Sequence, residues 1–335
     1  MAERKVRVAI LGCGGMAGAH AGRFRNNPDV EIVALCDVKK SIVKKFIERC
    51  LKGYEPPPAI FTHPAKMYAE AQPEAVAIVT PHTLHYPQGK QALEAGCHVL
   101  MEKPMVTDSS QARDLAALVE KVGKVFVIGY NTPCTPEFQY LRQLIRRGEL
   151  GRLEVVTGWI AQDWKRGTLG TWRQDPKLSG GGQMYDSGAH LLNSLVWTIE
   201  QPVSEVHAFA DYSGTPVDIN GTLNIRFANG TLAAIMISGN CSNGGGSMTY
   251  CFEHGRVDVD GWGGSWIRIY RRGQGEVKYP PITGQYQAPA DNFIDAILGR
   301  AEPMTSPRNG VIQSELMDAV YESVRTGQVA RVQSH

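Results

Sequence analysis

Three short stretches of this chain carry side chains suited to moving protons and electrons. Lys103 sits in Met101-Glu102-Lys103-Pro104, at the end of an apolar run. His190 closes Asp186-Ser187-Gly188-Ala189-His190. Upstream of both lies a glycine turn, Gly12-Cys13-Gly14-Gly15-Met16-Ala17. Oxidising a secondary alcohol needs a base that titrates near working pH, and histidine is the natural choice. A lysine cation can hydrogen-bond the reacting oxygen and stabilise a developing alkoxide; a desolvated lysine can also share the proton. Asp186 stands four residues before His190. In a helix both would project from one face, where the carboxylate can bind substrate or orient the imidazole. Which of Lys103 and His190 takes the proton first stays open at this level.

The glycine turn predicts the oxidant. Gly12-x-Gly14-x-x-Ala17 follows a strand pattern and opens a helix expected near Met16. Gly12 permits a tight turn, Gly14 lets backbone approach a pyrophosphate, and Ala17 allows close helix packing. The helix N-terminus, from Gly15 and Met16 onward, offers free N–H groups and partial positive charge. Asp37 ends the next strand, where an acid can bind the adenosine ribose hydroxyls and repel a 2′-phosphate. This favours NAD. Lys39 and Lys40 follow closely, which keeps NADP possible.

Elements to hold these groups are legible. Val6 to Leu11, Glu31 to Asp37, Ala59 to Thr62, Ala75 to Thr80, His98 to Lys103 and Lys124 to Gly129 read as buried strands. Helical stretches separate them, including one capped by Asp108 and stopped by Gly123. This alternation predicts a Rossmann-type, doubly wound parallel sheet over residues 1–128. With the usual strand order, Gly12, Asp37, Thr80-Pro81-His82-Thr83-Leu84-His85 and Glu102-Lys103-Pro104 all fall on the carboxyl edge of that sheet, where ligands bind.

Residues 129–335 read as an α+β domain for substrate binding and oligomerisation. A helix of Pro136 to Arg147 is expected to bridge the two domains. Seven strand-like segments follow: Leu153 to Trp164, Val203 to Tyr212, Asp218 to Phe227, Thr231 to Ser238, Met248 to Glu253, Arg256 to Asp260 and Trp266 to Arg271. Ala228-Asn229-Gly230 marks a hairpin, and Gly244 to Gly246 reads as a turn. One helix, Met184 to Ile199, interrupts the strands; helices of Asp291 to Leu298 and Val311 to Arg325 close the chain. The fold class is therefore α/β, with a large, mostly antiparallel open sheet in its second half. That sheet has more area than the helices can cover, so a homodimer or homotetramer packed through it is expected.

These motifs together resemble the glucose–fructose oxidoreductase, inositol dehydrogenase and MocA (Gfo/Idh/MocA) family of sugar and cyclitol dehydrogenases. Besides the glycine turn, the resemblance rests on Thr80-Pro81 with His85, Glu102-Lys103-Pro104, Gly148-Glu149-Leu150-Gly151, Trp172-Arg173, Gly180-Gly181-Gly182, Asp186 with His190, and Ser323, Gly327 and Val332. It implies catalytic roles for Lys103, Asp186 and His190. It implies that Thr80, Pro81, His82, His85, Glu102, Lys103, Asn131, Trp172 and Arg173 lie near the cofactor. It implies substrate contacts from Lys103, Trp164, Arg173, Asp186, His190 and Asn193. Two departures fall where the family holds substrate: Asn193 replaces a frequent acid, and Thr132-Pro133-Cys134-Thr135 lacks a frequent arginine.

The implied reaction is hydride transfer between a ring hydroxyl and NAD(P). An alternative is a glycoside-cleaving enzyme that oxidises and re-reduces its substrate on a retained NAD. A nucleotide sensor without turnover is a third class, disfavoured by the intact Lys103, Asp186 and His190. Asp186, His190 and Asn193 are a poor metal set, because asparagine ligates transition metals weakly and no second histidine lies at ligand spacing.

Composition narrows the field further. The 335 residues suffice for about two domains. A formal charge of +2 gives no reason to expect nucleic acid as a partner. The seven cysteines form no CxxC pair and read as reduced thiols. No apolar run reaches spanning length and no signal-peptide core is visible, so a soluble, cytoplasmic protein with no membrane partner is expected.

Overall fold

The computed structural model describes residues 4–278 and 280–332. Its backbone divides into two compact units, Met1–Gly129 with Gln287–Gly310, and Tyr130–Tyr286 with Val311–His335.

The first unit is built on six parallel strands: β1 (Val6–Leu11), β2 (Val30–Cys36), β3 (Ala59–Phe61), β4 (Ala75–Ile78), β5 (His98–Met101) and β6 (Phe126–Ile128). Their order is β3-β2-β1-β4-β5-β6, the doubly wound arrangement. Helices cover both faces, so β1 and β4 are apolar and buried almost throughout. Several strands stop one or two residues before their hydrophobic patterns do. Asp37, Thr80 and Lys103 therefore sit in the connecting loops of the carboxyl edge. The helix Ser109–Val122 is capped as expected: Asp108 accepts the Gln111 N–H at 3.0 Å, and Gly123 closes it at φ +63°.

Residues 287–310 correct the division at 128/129. The helix Pro289–Ile297 places Ala290, Phe293 and Ile294 in the core of the first unit. Thr305 then satisfies the edge strand β6, accepting from the Ile128 N–H at 3.1 Å and donating to the Ile128 carbonyl at 2.6 Å. A short amphipathic helix late in a chain carries no sequence mark of which core it joins.

The second unit holds nine strands: β7 (Leu153–Ala161), β8 (Val203–Asp211), β9 (Asn220–Phe227), β10 (Leu232–Ser238), β11 (Gly245–Phe252), β12 (Gly255–Asp260), β13 (Ile267–Arg271), β14 (Gly275–Val277) and β15 (Ala330–Arg331). Their order is β14-β13-β12-β11-β7-β10-β9-β8-β15. Every pairing is antiparallel except β7 with β10. The strict alternation along β9 and β10 shows one face buried and one exposed. The buried face packs on the helices Pro136–Arg147 and Gly188–Ile199 and on residues Ile312 to Val320 of the last helix. The helix Pro136–Arg147 thus belongs to the second core through Phe138, Leu141 and Leu144, rather than bridging. Gly245 and Gly246 pair with β7 instead of forming a turn. Gly244 is a close approach, since a Cβ there would lie 1.8 Å from the Ala161 carbonyl oxygen. The β9–β10 hairpin uses Gly230 at φ +88°, while Asn229 serves through its side chain, accepting the Thr231 N–H at 3.1 Å. Among the described residues no helix is long and apolar enough to cross a membrane.

The helix Gly188–Ile199 carries His190 near its start and is fastened at its other end. Glu200 follows it in the left-handed region, at φ +57°. The Glu200 carboxylate accepts hydrogen bonds from Arg142 and Arg146 of the helix Pro136–Arg147, the latter at 2.5 and 2.8 Å. Burial alone would raise this carboxyl, but the two guanidinium groups overcome it and hold the pKa down at about 2. A depressed carboxyl stabilises the fold above its unfolded pKa of about 4.3 and loses that contribution as pH falls through the folded value. Glu200→Gln should cost roughly 1–2 kcal/mol at neutral pH, allowing for partial exposure. Denaturant melts at stepped pH check this: the gap between variant and wild type should close between about pH 4.3 and 2.

Candidate active site

The carboxyl edge of the first unit is shaped by a backbone that has no room for side chains. Gly12 ends β1 at φ +93°, and a Cβ there would lie 2.5 Å from the Val79 carbonyl oxygen. Gly14 and Gly15 differ: nothing lies within 4 Å of a Cβ built on either. They form the open N-terminal turn of the helix Gly15–Asn26, which has no side-chain cap. Uncapped N–H groups facing an open cradle fit a pyrophosphate. Met16 is exposed beside the cradle, and Ala17 is buried against the sheet. Asp37 reaches back to the turn, where its Oδ2 accepts the Cys13 N–H at 2.8 Å. The carboxylate keeps acceptor capacity on its second oxygen for ribose hydroxyls. Arg49, which the sequence reading did not single out, donates to the Gly14 carbonyl at 3.2 Å. Burial pushes the Cys13 thiol up to about 12 and the Cys36 thiol up to about 11, so both remain protonated packing groups.

Two buried groups hold the lysine loop. Glu102 accepts from Lys103 N–H at 3.3 Å and meets His20 Nε2 at 2.7 Å through its other oxygen. It is a support beneath Lys103, itself half-buried. His20 was missed, although it lies on the apolar face of its helix with Ala17, Ala21 and Phe24. A polar residue on such a face signals a buried partner. His85 is fully buried. Its Nδ1 lies 2.7 Å from the Pro104 carbonyl oxygen and its Nε2 2.9 Å from that of Thr80. Burial pushes its pKa down, against the raising effect of those two carbonyls. His85 therefore packs between the Thr80 loop and the Lys103 loop, and in its neutral form it donates to one of the two carbonyls. His82 is also buried, in the turn His82–Leu84 after Pro81, and Thr80 donates its hydroxyl to Gln88 at 2.6 Å.

In the second unit a buried carboxylate organises the approach to the proposed base. Asp218 accepts from Gly182 N–H at 2.7 Å, Met184 N–H at 2.8 Å and the Tyr321 hydroxyl at 2.6 Å. Gly181 and Gly182 are required by contact: Cβ atoms would lie 2.2 Å from the Tyr321 hydroxyl and 1.9 Å from the Asp218 carbonyl oxygen. Asp218 had been read only as the start of a strand. The helix begins at Gly188, later than expected, so Asp186 lies in the preceding turn and not on the helix with His190. Its Oδ2 accepts from Trp164 Nε1 at 2.7 Å and Arg173 Nε at 2.8 Å. Arg173 also covers the Trp172 ring at 4.6 Å.

His190, on the first turn of that helix, meets two aromatic rings edge-on: Tyr130 at 5.8 Å and Trp262 at 5.0 Å between centroids. Ser194 donates to the His190 carbonyl at 2.9 Å and bonds the Thr132 hydroxyl at 2.6 Å. Thr132, Pro133 and Cys134 are buried, so the stretch that departs from the family pattern packs the site rather than lining it. Two residues expected to contact substrate, Trp164 and Asn193, are buried. Trp164 packs against Val217 and Ile219. Asn193 donates to Gln313 Oε1 at 3.0 Å between two helices. Asn131 is exposed where the turn Thr132–Cys134 begins.

Comparison with known proteins gives this arrangement its family. A model described as an oxidoreductase family with an NAD-binding Rossmann fold matches residues 6–130, and the GFO/IDH/MocA C-terminal domain matches residues 138–265. The chain belongs to the Gfo/Idh/MocA family of NAD-binding oxidoreductases. It is 26% identical to D-glucoside 3-dehydrogenase of Escherichia coli K12, over 98% of this chain and 97% of that one. Over 47% of this chain and 45% of the relative it is 29% identical to inositol 2-dehydrogenase of Corynebacterium glutamicum. Among solved structures it is similar to the WlbA dehydrogenase of Bordetella pertussis, in complex with NADH and UDP-GlcNAcA. There the TM-score is 0.85 at 22% identity, over 99% of this chain and 100% of that chain. That likeness extends the family's fold to both units.

The Asp218 hub makes a prediction separate from the chemistry. Asp218→Asn replaces an acceptor of three hydrogen bonds with an amide that must turn a donor toward one of them. It should destabilise the protein by roughly 2–4 kcal/mol, read as a lowered midpoint in chemical denaturation. An unchanged midpoint would show that the glycine turn does not depend on it.

Proposed function

We propose that this protein transfers a hydride between NAD and a ring hydroxyl of a sugar, sugar derivative or cyclitol, with Lys103 and His190 as the proton-transfer groups. The observation that carries this reading is the way both groups are presented. Lys103 sits on a loop braced by buried Glu102 and His85. His190 sits on a helix tied to Thr132 through Ser194 and to Arg146 through Glu200. When bound, the nicotinamide supplies the hydride acceptor or donor. His190 takes or returns the hydroxyl proton, and Lys103 is the second proton-transfer group, a cation suited to holding charge that develops on oxygen. Asp186 acts with them; its bonds to Trp164 and Arg173 fix the carboxylate, four residues before the base in the chain. Gly14, Gly15 and Met16 would carry the pyrophosphate and Asp37 the ribose, with Lys39 and Lys40 close enough in sequence to admit NADP.

Absorbance at the NADH band tests the reaction, with NAD⁺ and then NADP⁺ against inositols, aldoses and glycosides. A signal with one polyol class and NAD⁺ is expected. Lys103→Met and His190→Asn should each lower kcat about 10²–10⁴-fold while NADH still binds. Release of an aglycone without net NADH would replace this reading with the redox-neutral glycoside cleavage.

The exposed face of the nine-stranded sheet carries Trp159, Phe209, Leu232 and Met236, and we propose a second copy of the chain as its cover. Light scattering should give a dimer or tetramer, and Trp159→Glu with Met236→Glu should shift it toward monomer. A wild-type monomer at every concentration would reject this.

A further inference from the structure

We propose that Trp262 is the platform on which the substrate ring lies, and that it makes the site select a pyranose that turns a face of axial C–H groups toward it. This rests on the reaction proposed above. Trp262 lies in the connection between β12 and β13, a segment that the sequence presents only as a break between strands. The structure makes it a built loop. Asp260 Oδ1 accepts from the Trp262 and Gly263 N–H groups at 3.0 and 3.2 Å, and Oδ2 accepts from Ser265 N–H at 3.1 Å and its hydroxyl at 2.7 Å. Gly264, at φ +62°, presses on Thr135, where a Cβ would meet Oγ1 at 2.5 Å. Thr135 donates to the Thr132 carbonyl at 2.9 Å, Thr132 bonds Ser194 at 2.6 Å, and Ser194 donates to the His190 carbonyl at 2.9 Å. The tryptophan loop and the histidine turn are thus held to one another through consecutive contacts.

Within that frame the indole is 40% exposed, while its ring meets His190 at 5.0 Å and 70°. Large apolar rings are normally buried, and this one is both anchored and open. A hydroxyl within about 3 Å of the imidazole carries its ring carbons to the indole. The indole face is electron-rich and attracts polarised C–H groups. An all-equatorial pyranose presents axial C–H groups on both faces. An axial hydroxyl on the face turned to the indole would instead put an O–H against it, stripped of water and without a partner; the galacto and manno epimers carry theirs on one face of the ring and the allo epimer on the other.

Steady-state kinetics with methyl β-D-glucopyranoside and its galacto, manno and allo epimers test this in the wild type, Trp262→Ala and Trp262→Phe. Of these the wild type should disfavour either the galacto and manno epimers or the allo epimer, and accept the gluco isomer. Trp262→Ala should raise its KM about tenfold and erase most of the preference; Trp262→Phe should restore it. Without cofactor, the gluco isomer should change the intrinsic fluorescence of the wild type and not of Trp262→Phe. If Trp262→Ala does not fold, the Phe variant decides through that fluorescence change. Unaltered KM values and preference in folded Trp262→Ala would overturn the proposal. So would a loss confined to NADH affinity, which would assign the ring to the cofactor. A wild type that turns over no polyol yet keeps the fluorescence change would defeat the proposed reaction and leave the platform standing.

Discussion

The structure depends on how closely β1 and β4 come together at the carboxyl edge of the parallel sheet. At Gly12 the chain passes so near Val79 that no other residue fits. That approach is what lets the turn after β1 lie flat against the sheet and open the helix Gly15–Asn26 with an uncovered N-terminus. The consequences spread sideways along the edge. Asp37 can reach the Cys13 N–H only because the turn is held low. The Thr80 and Lys103 loops, beside it, pack on either side of His85. The sheet thus holds the open glycine turn, Asp37 and Lys103 along one edge.

In the second unit carboxylates, two of them buried, do the equivalent positioning. Asp218 fixes the glycine run, Asp186 gathers Trp164 and Arg173, Glu200 locks the far end of the histidine helix, and Asp260 shapes the Trp262 loop. Each accepts two or more hydrogen bonds, so its charge is compensated where it sits. A rigid antiparallel sheet covered by helices on one face supplies the base from which these acids act. Electrostatic preorganisation of this kind costs nothing further at the moment of reaction.

Much of this was legible in the sequence because local rules and global fold agree there. Hydrophobic runs ending in Gly12, Asp37 and Lys103 mark both the strands and the edge, and Asp108 and Gly123 mark helix limits by their own backbone chemistry. What was illegible is non-local. Nothing near Asn193 or Trp164 reveals that they are buried, since their partners Gln313 and Asp186 lie elsewhere in the chain. His85 sits between two carbonyls from different loops, a placement that spacing along the chain does not show. The segment after residue 287 returns to the first core through three apolar side chains on an ordinary helix. Trp262 was hidden because a glycine-rich break between strands looks the same whether or not it presents an aromatic ring.

The central claim is that this edge serves hydride transfer from a sugar carbon. The most direct measurement uses perdeuterated methyl glucoside and stoichiometric NAD⁺, quenched over time, with the cofactor weighed by mass spectrometry. Deuterium on the reduced nicotinamide is the predicted result. A protein that binds both NAD⁺ and the glucoside, yet never labels the cofactor at any time point, would contradict the account.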